Sequence, residues 1–366
     1  MQPNPYRCRP TRGVPCPVYI GSRTVHETLR LSEWRMVTVT AAYSTGSVTS
    51  ADGTRIGYRQ VGRGPGLVLV HGGGQAAQNL MQLAWSLSSE FTVCVPDRRG
   101  RGSSGPPGDH YGLTAESQDL DALLVHTGSE FVFGLSSGAL ICLDSALSLH
   151  QIRQLALYEP PLSVDHSTPV DWLARFDLEI AEGKIGSAMI TATRGTRTAP
   201  ALIRWTPRFL LAPLLDMAAR PSAAHPGGDG TPESHFMSPR RQPVLWLLLW
   251  PVRRFAASRN APDPGEDGTA VPLSALVPTM HYDAQLVLES EGRLPDYRAI
   301  AVPVLLLGGS NSPTYLQRTL DALETTLPRV RRVELLGVGH LAPDNTGEPE
   351  RVAGELRRFF GPENSA

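Results

Sequence analysis

One short segment of the chain carries the pattern of a serine nucleophile. Residues 131–139 read F-V-F-G-L-S-S-G-A, an apolar strand pattern followed by G-x-S-x-G and then by the apolar start of a helix. In a sharp strand-to-helix turn the backbone approaches its neighbours so closely that Gly134 and Gly138 cannot carry large side chains, and the hydroxyl of Ser136 is exposed at the tip. The predicted chemistry is attack by the Ser136 oxygen on a carbonyl carbon.

A serine oxygen is a poor nucleophile at neutral pH, so a base must accept its proton as it attacks. The sequence contains ten histidines, of which His340 lies in G-V-G-H-L, after a strand pattern at residues 333–336 and before the final helix pattern. This places it in a loop at the carboxyl edge of the predicted sheet, where catalytic loops of open α/β sheets gather. We predict that His340 is the general base.

A glycine-rich loop follows the third strand pattern and reads H-G-G-G at residues 71–74. The backbone N–H groups of Gly73 and Ser137 are the predicted donors to a tetrahedral oxyanion, an effect worth about 3 to 4 kcal/mol for one donor. Glycine lets the main chain approach a ligand without a Cβ atom in the way. The alternative is an ordinary glycine-rich turn between a strand and a helix.

The elements that must position these residues alternate between strand and helix. A β-hairpin with Asp52-Gly53 at its turn opens the domain. Short, continuous apolar runs then indicate strands that are covered on both faces, as in a parallel sheet. These runs lie at residues 67–70, 91–95, 131–134, 154–158, 302–307 and 330–336. Helical patterns separate them, so the predicted fold class is α/β with an eight-stranded, mostly parallel sheet.

The alternation divides the chain into three parts. Residues 1–42 show no sustained period and are predicted to be a disordered N-terminal extension, whereas residues 43–161 and 295–366 form the α/β core. Residues 162–294 contain helical patterns only and predict a helical cap inserted after strand six. Within the cap, about residues 221–242 and 259–270 are crowded with Pro, Gly, Asp and Ser and are predicted to be mobile loops.

Composition excludes several classes of partner. The net charge is −1 and charged residues are scattered, which argues against nucleic acid and anionic membranes and favours a small, apolar or neutral substrate. Arginines greatly outnumber the sole lysine, Lys184, so we attribute the abundance of arginine to codon bias and predict no binding function for these side chains. The cysteines lack metal-site spacing. The N-terminus lacks a signal-peptide pattern. We therefore predict a cytoplasmic protein without a metal.

The longest apolar run, at residues 243–252, is shorter than the roughly 20 residues that a membrane-spanning helix requires. No stable membrane insertion is predicted.

The loop D-R-R-G-R-G-S-S at residues 97–104 has neither the spacing of a phosphate-binding loop nor a helix directly after it, so it predicts a structural turn that shapes the pocket.

Four motifs in this order, H-G-G-G, D-R-R-G-R-G-S-S, G-L-S-S-G and G-V-G-H, resemble the α/β-hydrolase superfamily over about residues 47–361. The resemblance implies the α/β-hydrolase fold and a catalytic apparatus that needs no cofactor. On the matching positions it implies Ser136 as nucleophile, His340 as base, and Gly73 and Ser137 as oxyanion donors. Because Ser136 occupies the nucleophile position, the members of this fold that use an aspartate nucleophile are excluded.

The acid of the triad departs from the family pattern. In the family it usually follows the seventh strand, but residues 308–313 read G-G-S-N-S-P and contain no carboxylate. Glu159, in Y-E-P-P after the sixth strand, is the best relocated candidate because it keeps the chain order Ser, acid, His; alternatively it is a surface or ion-pair residue. Asp283, in a cap helix, is the alternative acid or a substrate contact. Without an acid, Ser136 and His340 form a dyad with Asn311 as neutral orienter.

Three functions remain open from the sequence. The first is a serine hydrolase that cleaves an ester or related acyl bond through an acyl-enzyme. The second is a haloperoxidase-like perhydrolase or a C–C hydrolase with the same catalytic residues. The third is a non-catalytic protein that binds a small molecule on the same fold, because one fold hosts many functions.

Overall fold

An eight-stranded sheet runs through the computed structural model, which describes residues 43–199, 201–218 and 270–361. The strands are β1 (Ser44–Thr49), β2 (Arg55–Gly62), β3 (Gly66–Val70), β4 (Thr92–Pro96), β5 (Phe131–Leu135), β6 (Gln154–Tyr158), β7 (Val304–Gly309) and β8 (Val330–Leu335). Their order is β1-β2-β4-β3-β5-β6-β7-β8. Strand β2 is antiparallel to β1 and β4, and all other neighbours are parallel. The predicted eight-stranded, mostly parallel sheet is confirmed.

The continuous apolar runs form strands because both faces of the sheet are covered. Side chains of a strand alternate between faces, and in β3 Val68 and Val70 join one core cluster while Leu67 and Leu69 join another. All four are buried. A strand that alternated between apolar and polar residues would bury polar side chains in one of these two clusters. The sequence of β3 is therefore apolar throughout.

Helices cover both faces of the sheet. In chain order the described helices are α1 (Met81–Leu87), α2 (Leu113–Thr127), α3 (Ser137–Ser145), α4 (Leu173–Ala181), α5 (Ile185–Gly195), α6 (Ala201–Trp205), α7 (Arg208–Ala218), α8 (Leu273–Leu276), α9 (Met280–Glu289), α10 (Thr314–Thr326) and α11 (Pro349–Phe360). Helices α2, α3 and α10 contribute Leu120, Leu140 and Leu320 to the first core cluster. Helices α1 and α11 contribute Leu83 and Leu356 to the second.

The described part of the chain between β6 and β7 is helical, as predicted for an insertion after strand six. Helices α4 to α9 lie in it and share an apolar cluster that includes Phe176, Ile190 and Leu215. The helical segment at residues 201–218 consists of two helices, α6 and α7. Pro207 lies between them, where a proline cannot donate a helix hydrogen bond. We call α4 to α9 the helical insertion.

Several predictions fall outside the described residues. They are the disordered extension at residues 1–42, the apolar run at residues 243–252, and the two mobile loops, apart from Ala270 at the end of the second. Among the helices that are described, none combines the length and the apolar character needed to cross a membrane.

Strand register brings the candidate residues to one edge of the sheet. Leu135 at the end of β5 is paired with Tyr158 at the end of β6, so the next residues, Ser136 and Glu159, leave the sheet side by side. The loop after β8, which carries His340, and the loop after β3 leave the same edge because these strands are parallel. The carboxyl edge of such a sheet is where ligands bind.

Candidate active site

Ser136 occupies a strained turn between β5 and α3. Its backbone has φ 55° and ψ −123°, a conformation that residues with a side chain rarely adopt. Main-chain hydrogen bonds hold it: the Ser136 N–H donates to the Tyr158 carbonyl at 2.9 Å, and the N–H groups of Ala139 and Leu140 donate to the Ser136 carbonyl at 2.8 and 3.2 Å. The turn therefore holds the hydroxyl-bearing residue in one position, as the G-x-S-x-G pattern predicts.

The two glycines of the motif lie where no side chain fits. A Cβ atom on Gly134 would lie 2.6 Å from the Ala139 Cα, and one on Gly138 would lie 2.4 Å from the His71 carbonyl oxygen. Both obstacles are backbone atoms, which cannot rotate away. The close approach that the sequence motif implies is present at both positions.

His340 lies between Ser136 and Glu159. Its Nε2 is 3.0 Å from the Ser136 Oγ, and its Nδ1 is 2.6 Å from the Glu159 Oε2. The carboxylate can only accept a hydrogen bond, so Nδ1 carries a proton and Nε2 is free to accept the one on the serine hydroxyl. The three predicted residues are thus joined by two hydrogen bonds in the order serine, histidine, glutamate.

Glu159 is completely buried, and the end of β7 receives its carboxyl group. The Gly309 N–H donates to Glu159 Oε1 at 2.7 Å, while Oε2 faces His340. A Cβ atom on Gly308 would lie 2.5 Å from the Leu320 Cδ1 and 3.3 Å from Glu159 Oε1. A side chain at Gly308 would therefore crowd Leu320 and the carboxylate that comes from β6.

Gly73 and Ser137 lie with Ser136 and His340 in the wall of one cavity of about 130 Å³. The remainder of the described wall is mainly apolar, and much of it comes from the helical insertion. It includes Trp172, Met189, Leu273, Val277, Met280, Ala284 and Val287. The only charged side chains among the described lining residues are Asp283, which is paired with arginines, and His340 if it is protonated. This wall suits an apolar or neutral ligand.

His71 fixes the glycine-rich loop from inside the protein. Its Nδ1 donates to the Gly72 carbonyl at 3.0 Å, and its Nε2 accepts the Arg98 main-chain N–H at 3.2 Å. Burial, together with Arg101 and Arg98, holds the pKa of His71 well below its usual value. The imidazole is therefore neutral, and its tautomer is set by these two partners.

Asp283, predicted as the alternative acid or as a substrate contact, is held by other partners. Its carboxylate accepts hydrogen bonds from Arg98 Nη1, Arg101 Nη2 and the Ser137 hydroxyl, each at 2.8 Å. It lines the cavity, but the carboxylate that faces His340 is that of Glu159. Asn311 is not in the wall of this cavity; it lines a neighbouring pocket together with His340, and its main-chain N–H donates to the Val338 carbonyl.

The family model described as "Alpha/beta hydrolase family" matches residues 67–355 of the chain. The chain belongs to the alpha/beta hydrolase family. The matched residues include all strands from β4 to β8 and every candidate site residue.

Two solved structures are similar to this chain in fold. An alpha/beta hydrolase from Sphaerobacter thermophilus DSM 20745 is similar with a TM-score of 0.59 and 28% identity, over 86% of this chain and 100% of that one. An esterase from Thermogutta terrifontis is similar with a TM-score of 0.56 and 19% identity, over 87% of this chain and 98% of that one. At the latter identity the likeness shows the fold alone.

Among curated proteins, the uncharacterized hydrolase YraK of Bacillus subtilis (strain 168) is 36% identical over 115 residues. The match covers 30% of this alpha/beta hydrolase and 42% of YraK, which is less than half of that relative. The comparisons thus show the family and the fold, and they specify no substrate.

The arginines of the D-R-R-G-R-G-S-S loop were missed as site residues. Arg98 and Arg101 are 2% and 3% exposed and both bind Asp283. Burial of charged side chains requires partners, so three arginines within a short glycine-rich loop were a signal of buried ion pairs. Residues 97–104 do not line the cavity themselves, but Arg98 and Arg101 bind Asp283, which does. The role of this loop as a structural turn that shapes the pocket stays a prediction. Among the described residues no group of three or more His, Cys, Asp or Glu side chains is arranged to hold a metal ion.

Proposed function

We propose that this alpha/beta hydrolase is a serine hydrolase that cleaves an ester or related acyl bond of a small, apolar or neutral molecule. One observation carries the proposal: His340 is hydrogen-bonded to both the Ser136 hydroxyl and the buried Glu159 carboxylate. This is the arrangement in which a histidine takes a proton from a serine and is stabilised as it becomes charged.

In the first half of the reaction, His340 Nε2 accepts the proton of Ser136 as the serine oxygen bonds to the carbonyl carbon. The carbonyl π electrons move to oxygen, and the N–H groups of Gly73 and Ser137 stabilise this oxyanion. Glu159 stabilises the imidazolium across the short contact to Nδ1. The carbon–oxygen bond to the alcohol then breaks, the alcohol takes the proton from His340, and an acyl-serine remains.

In the second half, His340 removes a proton from a water molecule, whose oxygen attacks the acyl carbon. Collapse of the second tetrahedral species breaks the bond to Ser136, which recovers its proton from His340. No cofactor takes part in these steps. The mostly apolar cavity wall supports a neutral acyl group, because a free charge there would lose its hydration.

We further propose that the enzyme works on a small molecule in the cytoplasm. The buried cysteines Cys94 and Cys142 are free thiols, which a reducing compartment maintains. Burial raises the pKa of both thiols, so neither is a nucleophile at neutral pH.

The test is hydrolysis of a series of neutral p-nitrophenyl esters of increasing acyl length, with and without hydrogen peroxide, by the wild type and by Ser136→Ala and His340→Ala. We expect hydrolysis without peroxide, loss in both variants, and an acylated Ser136 by mass spectrometry after acid quenching. Product only with peroxide would indicate a perhydrolase. Cleavage of a vinylogous diketone and not of esters would indicate a C–C hydrolase. Ligand binding without turnover would indicate a binding protein.

A further inference from the structure

The side chain of Ser137, the residue after the nucleophile, is anchored in a buried charged pair. Its hydroxyl donates to Asp283 Oδ1 at 2.8 Å and accepts from Arg98 Nη1 at 3.1 Å, and the residue is only 3% exposed. A serine hydroxyl has a single proton to donate. With that proton directed at Asp283 and a lone pair directed at Arg98, the side chain has one orientation, and Ser137 is the first residue of α3.

Arg98 also contacts the loop that carries Gly73. Its main-chain N–H donates to His71 Nε2 at 3.2 Å, and its Nη1 lies 3.5 Å from the His71 carbonyl oxygen. The His71 ring in turn donates to the Gly72 carbonyl. One arginine therefore contacts both backbone segments that carry the predicted oxyanion donors, Gly73 and Ser137.

Asp283 completes this arrangement from the helical insertion. It lies in α9, and a Cβ atom on Gly73 would be 3.1 Å from its Cγ, so the carboxyl group packs against the Gly73 main chain. The same carboxylate accepts from Arg98 and from Arg101 at 2.8 Å each. The ion pair thus fixes α9, Gly73 and Ser137 with respect to one another.

The remaining partners of Arg98 keep its guanidinium in place. Glu116 accepts from Nε at 3.0 Å and from Nη2 at 2.7 Å, and Nη2 also donates to the Tyr111 hydroxyl at 2.9 Å. A guanidinium with every nitrogen bound has no freedom to follow a moving partner. An unpaired carboxylate next to an oxyanion would oppose its formation, and the two arginines neutralise this charge.

We propose that Arg98 and Asp283 are positioning residues for the oxyanion site: they hold Gly73 and Ser137 at the distance from Ser136 at which both N–H groups can bind the same oxygen. This inference rests on the serine hydrolase function proposed above. It assigns Asp283 a role other than triad acid or substrate contact. Neither residue needs to touch the substrate for it to operate.

The first test is Ser137→Ala, which removes the anchored hydroxyl but keeps the backbone N–H and the ion pair. With a neutral p-nitrophenyl ester we expect kcat to fall about tenfold with KM within about twofold, because small misplacements at the reacting centre cost rate. An aryl boronic acid, whose tetrahedral adduct places an oxygen in the oxyanion site, should bind about tenfold more weakly. The matched control is Ser145→Ala, which removes a buried, unpaired hydroxyl from the same helix α3 and should leave both values unchanged.

The second test is Asp283→Asn alone and combined with Ser137→Ala. We expect the double variant to lose little more kcat than Asp283→Asn, because both changes release the same element. Glu179→Gln is the control. It removes the charge of another buried carboxylate of the insertion, which is bound to Thr191 and Arg175, and it should leave the boronic acid affinity unchanged. Thermal denaturation of every variant identifies any that is unfolded. If Asp283→Asn is unfolded, the result for Ser137→Ala alone decides whether the positioning role holds.

Failure of the positioning role and failure of the proposed function give different results. If the wild type hydrolyses esters through Ser136 while Ser137→Ala keeps wild-type kcat and boronic acid affinity, the positioning role is wrong and the proposed function stands. The positioning role is also contradicted if the kcat losses of Ser137→Ala and Asp283→Asn simply multiply in the double variant. If the wild type neither hydrolyses esters nor binds the boronic acid covalently, the proposed function and this inference both fail.

Discussion

The Nδ1 atom of His340 lies 2.6 Å from the Oε2 atom of Glu159, a residue that directly follows β6. The other carboxylate oxygen, Oε1, accepts the main-chain N–H of Gly309, at the end of β7. The carboxylate therefore enters from the sixth strand into the space beside the seventh. A carboxyl group on either strand can reach this point because the two strands are neighbours in the sheet.

Glu159→Gln tests the role of this contact. An amide in place of the carboxylate can hold the histidine in the wrong tautomer, so we expect kcat to fall by about four orders of magnitude, with KM changed little. Steady-state kinetics on a p-nitrophenyl ester provides the measurement, and Glu334→Gln, at an exposed position of β8, is the control. Near-normal turnover in Glu159→Gln, with complete loss in Asp283→Asn, would place the acid in the insertion.

Strain at Ser136 predicts a difference between two inactive variants. Alanine keeps the unfavourable φ of 55°, whereas glycine tolerates it. Strain of this kind costs about 1 to 3 kcal/mol, and the greater freedom of an unfolded glycine offsets part of the gain. We expect Ser136→Gly to exceed Ser136→Ala in free energy of unfolding by about 1 kcal/mol. Urea unfolding measures it, and a less stable glycine variant would show that the turn is unstrained.

The sequence allowed prediction of the parts of the site that follow directly from strand order. Ser136, Glu159 and His340 each come directly after, or shortly after, a recognisable strand, and parallel strands bring their ends to one edge. The contact between Arg98 and Asp283 joins residues 185 positions apart, and no periodicity records a pairing of that kind. Composition hid it as well, because arginine is so abundant in this chain.

Gly138→Ala tests the close packing behind the nucleophile. The new Cβ atom would lie 2.4 Å from the His71 carbonyl oxygen and 2.5 Å from that of Val70. Since backbone must move, we expect a loss of about 2 kcal/mol or more in the free energy of unfolding. Gly354→Ala, in α11, is the control: only the tip of Arg358 lies near, at 3.8 Å, and alanine favours helix, so a gain of about 0.5 to 1 kcal/mol is expected. Equal effects would refute the steric argument.

Acid stability tests the Asp283 ion pairs. Burial by itself raises the pKa of the Asp283 carboxyl, but Arg101 and Arg98 outweigh it and lower the pKa from 3.8 to about 2. A lowered pKa means that the charged form stabilises the folded protein above about pH 3.8, and that this contribution is lost as the pH falls through about 2. The difference in free energy of unfolding between wild type and Asp283→Asn should shrink by on the order of 2 kcal/mol from pH 5 to pH 2. Urea unfolding across this range measures it, and a constant difference would mean that the carboxylate is not selectively stabilised.

The proposed mechanism requires that Ser136 is the nucleophile. A fluorophosphonate reacts with serines that a neighbouring base activates, and peptide mapping by mass spectrometry then identifies the labelled residue. We expect a single adduct on Ser136 in the wild type and none in Ser136→Ala, with strongly slowed labelling in His340→Ala. An adduct on Ser104 or Ser137, or labelling that persists in Ser136→Ala, would contradict it.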